Sequence, residues 1–491
     1  MIRRALLGLA ALLLALAAAV GINTWRHGSR QLVVPPVPPV AVDADAAARR
    51  LAGAIPLRTI ASFDDPKLNA DEFVKLHAYL EQSFPKLHAA LKREVVGNNS
   101  LLYTWEGSDP KLRPIALMAH QDVVPISPGT EKDWQVDPFA GTIKDGFVWG
   151  RGAWDNKGNL FGQLEAVELL VASGFKPART IYLVMGDDEE VSGLRGAKVI
   201  AQLLKSRGVR LEYVLDEGLL ITEGVLAGLD KPAALVGVAE KGYGTFFLNL
   251  DVPPGHASMP PAKTAIGMMS AALARLEDRK LPAGINGVAG EMFDTLAPEM
   301  HGLNRVLLSN LWLFGPLVQA QLEKSVSSNA MLRTTTALTI VNAGNKDNVL
   351  PGHAEAAVNF RLLPGDTLAG VQDHVRQSIG NEAIQIKPYG GNAEPTPVSS
   401  TQALGYRAIE RTLRELFGDV IVAPGLYIAG SDSRHFVDVA EAIYRFSPMR
   451  AKPEDLPRFH GTNERMGIAN YVELIQFYHQ LLRTSTQAPT Q

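Results

Sequence analysis

The chain has 491 residues, 46% hydrophobic and 20% charged, with a formal net charge of −3. That length can bury a substantial core and suggests more than one domain, and the lack of a basic block argues against nucleic acid as a partner. With no cysteine there is no disulfide framework, thiol nucleophile, thiolate metal site or lipidated cysteine, so any metal must be held by histidine and carboxylate.

Arg3 and Arg4 precede an apolar run, Ala5 to Ile22, that reads either as a signal peptide or as a membrane anchor, and in both cases as an export signal. The small residues Ala17-Ala18-Ala19 suit cleavage. The segment VVPPVPPVAV (33–42) reads as a stiff extended spacer that would hold the body off a membrane, which favours the anchor. The expected location is the periplasmic face of a bacterial inner membrane, or the periplasm or exterior if the segment is cleaved.

From Asp43 the pattern becomes globular. Three apolar runs, PIALMA (114–119), TIYLVM (180–185) and LEYVL (211–215), are separated by helix-like segments at 157–173 and 195–208. Strand, helix, strand, helix, strand at these spacings predicts an α/β domain with a mostly parallel sheet flanked by helices. After Lys241-Gly242 the pattern changes to GTFFLNLDV, ALTIVNA (337–343), EAAVNFRLL (355–363), a helix-like VQDHVRQSIG and IQIKPYG (384–390). This mixture predicts a smaller α+β lid domain at 242–395, inserted between catalytic segments 43–241 and 396–491. Residues 1–22 and 23–42 stand before them as leader and linker. Helix-like 403–418 and 471–483 return to the main body. The apolar stretch 302–322 is interrupted by Arg305, Asn310 and Pro316, so it reads as a buried or interface helix rather than a second span.

In open parallel sheets, ligands bind beyond the carboxyl ends of the strands. Here those ends carry His120-Gln121-Asp122, the quartet Asp187-Asp188-Glu189-Glu190, and Asp216-Glu217, while Asp155 sits in the Gly-rich turn WGRGAWDNKG. So many acids suit divalent cations, two of them bridged by one carboxylate, with zinc first and cobalt or manganese as alternatives. Not all four acids of the quartet can be ligands. One could instead serve as general base.

The ordered motifs HQDVVP, WGRGAWDNKG, DDEEVSG, LDEG, PPGHASMPP, NVLPG and FHGTNE resemble those of zinc metallopeptidases. That group includes carboxypeptidase S, bacterial glutamate carboxypeptidase, aminoacylase and secreted N-fatty-acyl amino acid hydrolases. The likeness spans about 45–470, and GSDSRHF and the stretch 333–366 are most similar to the carboxypeptidase S and fatty-acyl amino acid branch. The resemblance implies His120, Asp155, Glu190, Asp216 and His460 as ligands of two zinc ions, with Asp155 bridging. It implies Asp122 as the carboxylate orienting His120 and Glu189 as the general base. His256, Asn348 and Arg361 become substrate-binding groups, His256 at the oxyanion and often from a second subunit. Glu464 is a hydrogen-bond partner rather than a ligand. One departure is visible: relatives in this branch often have His where Asp187 stands.

The implied reaction is hydrolysis of an amide beside a free carboxylate, in a small peptide or an N-acyl amino acid. The narrower alternative is an N-fatty-acyl amino acid hydrolase or synthase. A catalytically silent metal-binding scaffold would have lost Glu189 or a ligand, and a di-metal phosphoesterase would show clustered basic groups; the sequence has neither mark. Some relatives dimerise through the lid and others do not.

Overall fold

The structure, a computed structural model, describes residues 2–486. Its two larger sheets contain, in chain order, β1 (Lys92–Val96), β2 (Ser100–Trp105), β3 (Ile115–His120), β4 (Ile181–Gly186), β5 (Tyr213–Thr222), β6 (Ala233–Glu240), β7 (Gly242–Asp251), β8 (Thr335–Ala343), β9 (His353–Leu362), β10 (Gln385–Pro388), β11 (Ile421–Tyr427) and β12 (Ile443–Ala451). The main helices are α1 (Ile2–Arg26), α2 (Lys157–Ala172), α3 (Ala197–Ser206), α4 (Ala265–Asp278), α5 (Gly287–Leu296), α6 (Gly302–Ser309), α7 (Leu311–Leu322), α8 (Leu368–Ile379), α9 (Leu404–Leu416) and α10 (Ile468–Thr486).

The main sheet has the order β1-β2-β4-β3-β5-β12-β6-β11, and β3 runs parallel to both β4 and β5. All six residues of β3 are buried, as a strand covered on both faces requires. One face packs on α2, α9 and α10, the other on α3. Helix α2 is enclosed nearly all round, so it lacks a polar face, and each of its buried amides makes one hydrogen bond: Gln163 Nε2 donates to Met118 O (2.7 Å) and Asn159 Oδ1 accepts from Tyr478 OH (2.6 Å). A Cβ at Gly162 would lie 1.8 Å from Leu474 Cδ2, so only glycine lets α2 and α10 approach this closely.

A second sheet, β8-β9-β7-β10, is antiparallel and packs α4 and α8 on one face. It interrupts the catalytic chain, because β6 and β11 pair in parallel across the insertion.

Three stretches differ from the sequence reading. Within 242–395, α5 leaves the lid and packs against β11: Met292, Phe293 and Leu296 share a core with Ala233, Ile421 and Ala423, because that sheet edge offers an apolar face the lid does not. Residues 302–322 form two helices, α6 and α7, joined at Asn310, with only Ser309, Asn310 and Val318 buried, so this is not a buried helix. The proline-rich segment does not stand free as a spacer. Gln31 exchanges two hydrogen bonds with the Val422 backbone, Val37 N–H donates to Glu415 O, and Arg414 and Gln476 donate to Leu32 O and Val40 O. Proline holds the strand extended, and side-chain amides and guanidinium of the body satisfy its carbonyls.

Candidate active site

Register places the site. In the β3–β4 ladder His120 lies opposite Gly186, the residue before the acidic quartet, and Leu117 of β3 lies opposite Leu215 of β5, just ahead of Asp216-Glu217. Three strand ends therefore converge on one cleft of about 800 Å³, lined on the other side by Tyr243, Arg361 and Tyr389 of the lid.

His120 is buried. Its Nδ1 lies 2.9 Å from the Asp122 carbonyl, which leaves Nε2 toward the cleft, 3.1 Å from Asp155 Oδ1 and 3.4 Å from Glu217 Oε1. The other Asp155 oxygen lies 2.8 Å from His460 Nε2, and that nitrogen is 3.3 Å from Glu190 Oε1. One carboxylate thus stands between two imidazoles. His460 itself is left-handed (φ 55°), held by Arg151 Nη2, which donates to the carbonyls of His460 and Gly461.

Asp122 has its own task. Its two oxygens accept from the backbone N–H groups of Glu189 (3.2 Å) and Glu190 (3.0 Å), so the residue beside His120 also fixes the acidic turn. The quartet divides. Asp187 accepts from Ser100 Oγ (2.6 Å) and Asn99 N–H (2.9 Å), and Asp188 from the N–H groups of Arg195 and Gly196. Those two have their oxygens taken up by protein hydrogen-bond donors, while Glu189 and Glu190 line the cleft.

Asp216 behaves differently from its neighbour. Its carboxylate accepts from Glu217 N–H (2.9 Å) and Ser433 N–H (2.8 Å), whereas Glu217 reaches His120 and accepts from Asn156 Nδ2. Ligand-capable atoms of His120, Asp155 and Glu190 lie within 4.8 Å of one another, as do those of His120, Glu189 and Glu217. Asp216 is in neither group, while its neighbour Glu217 is in the second. Arg361 lines the cleft above the Tyr243 ring (4.8 Å), its register partner. His256 and Asn348 lie apart on an exposed corner of the lid, where His256 Nδ1 contacts Ser258 Oγ (2.8 Å).

The charge state is frustrated. Burial, reinforced by the charge of Asp155, pushes Glu190 up to about 7, and Glu217 rises to about 7 by burial despite His120 beside it. Burial and the nearby Glu217, Asp432 and Glu190 raise Glu189 well above the ordinary carboxylate range. In the opposite sense, the Asp155 and Glu190 carboxylates push His460 up to about 10. Glu190 Oε1 is buried without a hydrogen bond. Nitrogen and oxygen donors without sulfur, one of them orphaned, fit a hard or borderline divalent cation.

Acids gathered this densely on strand ends are stable around a cation, and they define the class: a metal-dependent hydrolase. The chain belongs to peptidase family M20/M25/M40, whose model matches residues 116–484. It is 43% identical over 429 residues to the zebrafish (Danio rerio) N-fatty-acyl-amino acid synthase/hydrolase PM20D1.1, covering 86% of this chain and 83% of that one. It is 39% identical over 484 residues to the probable carboxypeptidase S-like 2 of Dictyostelium discoideum, covering 96% and 93%. The fold is similar to the M20 family metallo-carboxypeptidase Sso-CP2 from Sulfolobus solfataricus (TM-score 0.65, 16% identity, 90% and 99% covered) and to human carnosine dipeptidase 1 (TM-score 0.61, 16% identity, 92% and 100% covered).

Proposed function

We propose that this chain is a di-zinc amidohydrolase that cleaves the amide of N-acyl amino acids, with long acyl chains accepted. The observation that carries the reading is Asp155 standing between the facing nitrogens of His120 and His460. One zinc would be held by His120, Asp155 and Glu217, the other by Asp155, Glu190 and His460. Glu217 replaces Asp216 in this assignment because only its carboxylate faces His120. Bound there, zinc supplies Lewis acidity toward the amide carbonyl and the attacking water, whose pKa it lowers to about 7.

The protein's own groups do the rest. Glu189, half-buried at the cleft wall, takes the proton of the attacking water and delivers it to the leaving amine nitrogen. Asp122 keeps the His120 Nε2 lone pair directed inward and holds the Glu189-Glu190 backbone. Arg361, braced on Tyr243, receives the free carboxylate. His256 and Asn348 reach the oxyanion only on lid closure or from a second copy. The exposed Ile340 and Val341 of the lid edge strand β8 suit that second copy.

The acyl group is read from the cleft mouth. Phe63, Leu194, Tyr389, Val437 and Phe459 are all exposed and all line it, an apolar rim that a dipeptide would leave wet. Helix α1, apolar and unburied, serves as an anchor on the outer face of the cytoplasmic membrane, with Arg3 and Arg4 inside.

The test is metal-stripped protein assayed with and without zinc on acetyl- to long-chain N-acyl amino acids, on dipeptides, and on the C-terminal amide of each. Zinc-restored cleavage of the free acids, lost in Glu189→Gln with metal content unchanged, is expected. Equal turnover of amides and acids would overturn the role of Arg361, and equal turnover of acetyl and long-chain substrates the role of the rim.

A further inference from the structure

Helix α7, LWLFGPLVQAQL, carries no charged residue, yet only Val318 in it is buried. Trp312 and Leu317 stand exposed on it, as does Leu303 on α6. A helix this apolar, left open on a body whose core is otherwise well covered, wants a partner.

The contacts of α1 say which. Asn310, between α6 and α7, donates through Nδ2 to Thr24 Oγ1 (2.9 Å) and Val20 O (3.4 Å) of α1. In return Asn23 Nδ2 donates to Ser309 O (2.6 Å), and His27 Nδ1 meets Ser309 Oγ (3.0 Å). These bonds grip α1 where its apolar run ends at Ile22. Just beyond, His27 and Arg30 pair with Asp294 of α5. Below the grip α1 is apolar and unburied; above it the chain is charged and docked on the body. At the same level Trp25 and Trp312 are both exposed, the position interfacial tryptophans take in membrane proteins. Trp312 Nε1 is satisfied by Asn310 Oδ1 (3.1 Å), so the ring can enter an apolar phase without an orphaned donor.

We infer that α6 and α7 form a membrane foot, lying in the headgroup–acyl boundary of the same bilayer that α1 enters. This rests on the reading of α1 as an anchor. The partner is a lipid surface rather than a second copy, since any protein covering α7 would have to compete with the lipid around the adjoining α1. Because α5 is packed into the β11 edge, a seated foot fixes the orientation of the whole catalytic sheet on the membrane instead of leaving it on a swinging tether.

The chain has no cysteine, so single substitutions can be labelled cleanly. Full-length Leu303→Cys, Leu317→Cys, Leu9→Cys and Val95→Cys would each carry an environment-sensitive fluorophore. Val95 is exposed on β1, at the sheet edge opposite β11. The labelled proteins would be reconstituted in phosphatidylcholine–phosphatidylglycerol vesicles with or without doxyl-labelled acyl chains. The expected result is blue-shifted emission at 9, 303 and 317, quenched by roughly half or more by doxyl lipid, shallow labels acting best at 303 and 317, with Val95→Cys unaffected. Quenching at 9 with water-like emission at 303 and 317 would overturn the foot and leave the anchor standing. Blue-shifted emission at 317 without quenching would mean a covering protein, and also overturns it. No quenching at 9, 303 or 317 removes foot and anchor together. Circular dichroism of each labelled chain confirms that an altered signal does not come from unfolding.

Discussion

Glu464 grips the turn of Asp155. Its Oε1 accepts from the Asp155 N–H at 3.0 Å and from those of Gly152 and Trp154 at 2.9 Å, while Oε2 takes Arg151 Nη1 at 2.6 Å. Glu464 lies four residues after His460, and Arg151 in turn holds the His460 and Gly461 carbonyls. The two chain segments that bring Asp155 to His460 are thus clamped by one buried ion pair.

Glu464→Gln keeps the shape but leaves the Arg151 guanidinium, 2% exposed, without a counter-charge. Losing one member of a buried pair costs about 3–5 kcal/mol. The denaturation midpoint should fall accordingly, and zinc affinity should drop roughly 10–100-fold, as when a partner behind a metal ligand is removed. Calorimetry and zinc titration of the variant check both; unchanged zinc affinity would show that the clamp does not set the ligand geometry.

Much of this site was legible because strand ends are local. An apolar run that stops at His120 or Asp187 announces its own edge, whereas His460, and Glu464 beside it, stood out only through the family resemblance. That the Glu217 carboxylate lies against His120 was not legible. Neighbouring residues of a strand face opposite sides, and β5 runs on to Thr222 instead of ending at Leu215, so which acid meets His120 depends on pairing with β3 and β12. The docked proline-rich segment was also hidden, since its partners, Glu415, Val422 and Gln476, lie nearly four hundred residues or more away. The division of the quartet depended likewise on Ser100, which belongs to another strand.

The Asp216–Glu217 distinction has its own measurement. On the di-zinc reading proposed above, Glu217→Gln should lower bound zinc from two per chain to about one and abolish turnover, with a modest effect on folding. Asp216→Asn should keep both ions but destabilise the chain by about 1–3 kcal/mol, because one of the N–H groups of Glu217 and Ser433 loses its acceptor. Metal analysis beside thermal melts separates the two, and the reverse pattern would restore Asp216 as the ligand.

His435 makes the fold sensitive to acid. Its Nε2 lies 2.9 Å from Ser192 O, and burial, helped by Arg434 and Lys198, pulls the imidazole down to about 4. Unfolded, it would take a proton near 6.5. Between these values the unfolded chain binds the extra proton, so stability is lost as pH falls from 6.5 toward 4. Partial exposure limits the loss to about 1–2 kcal/mol. His435→Gln keeps a donor for Ser192 O without titrating, so its melting temperature should fall less than that of the unmodified chain between pH 7 and pH 5. Parallel melts in the same buffers decide it.

The acyl rim can be tested without touching the chemistry. Phe63 and Leu194 line the cleft mouth from the chain segment before β1 and from the turn after the quartet, and both are exposed in the free protein. A long acyl chain crossing the mouth would cover them; an acetyl group is too short to do so. Burying such a side chain against a ligand stabilises by about 1.5–3 kcal/mol when complete, and contact on one side yields less. Phe63→Ser and Leu194→Ser should therefore each raise KM for long-chain N-acyl amino acids by about 3–10-fold, leave kcat within about twofold, and hardly change either constant for the acetyl substrate. Because both positions are already exposed, neither change should lower the melting temperature, so a KM effect cannot be blamed on misfolding. If the two substitutions weaken acetyl and long-chain substrates equally, the rim contributes to general access and the acyl group lies elsewhere in the cleft.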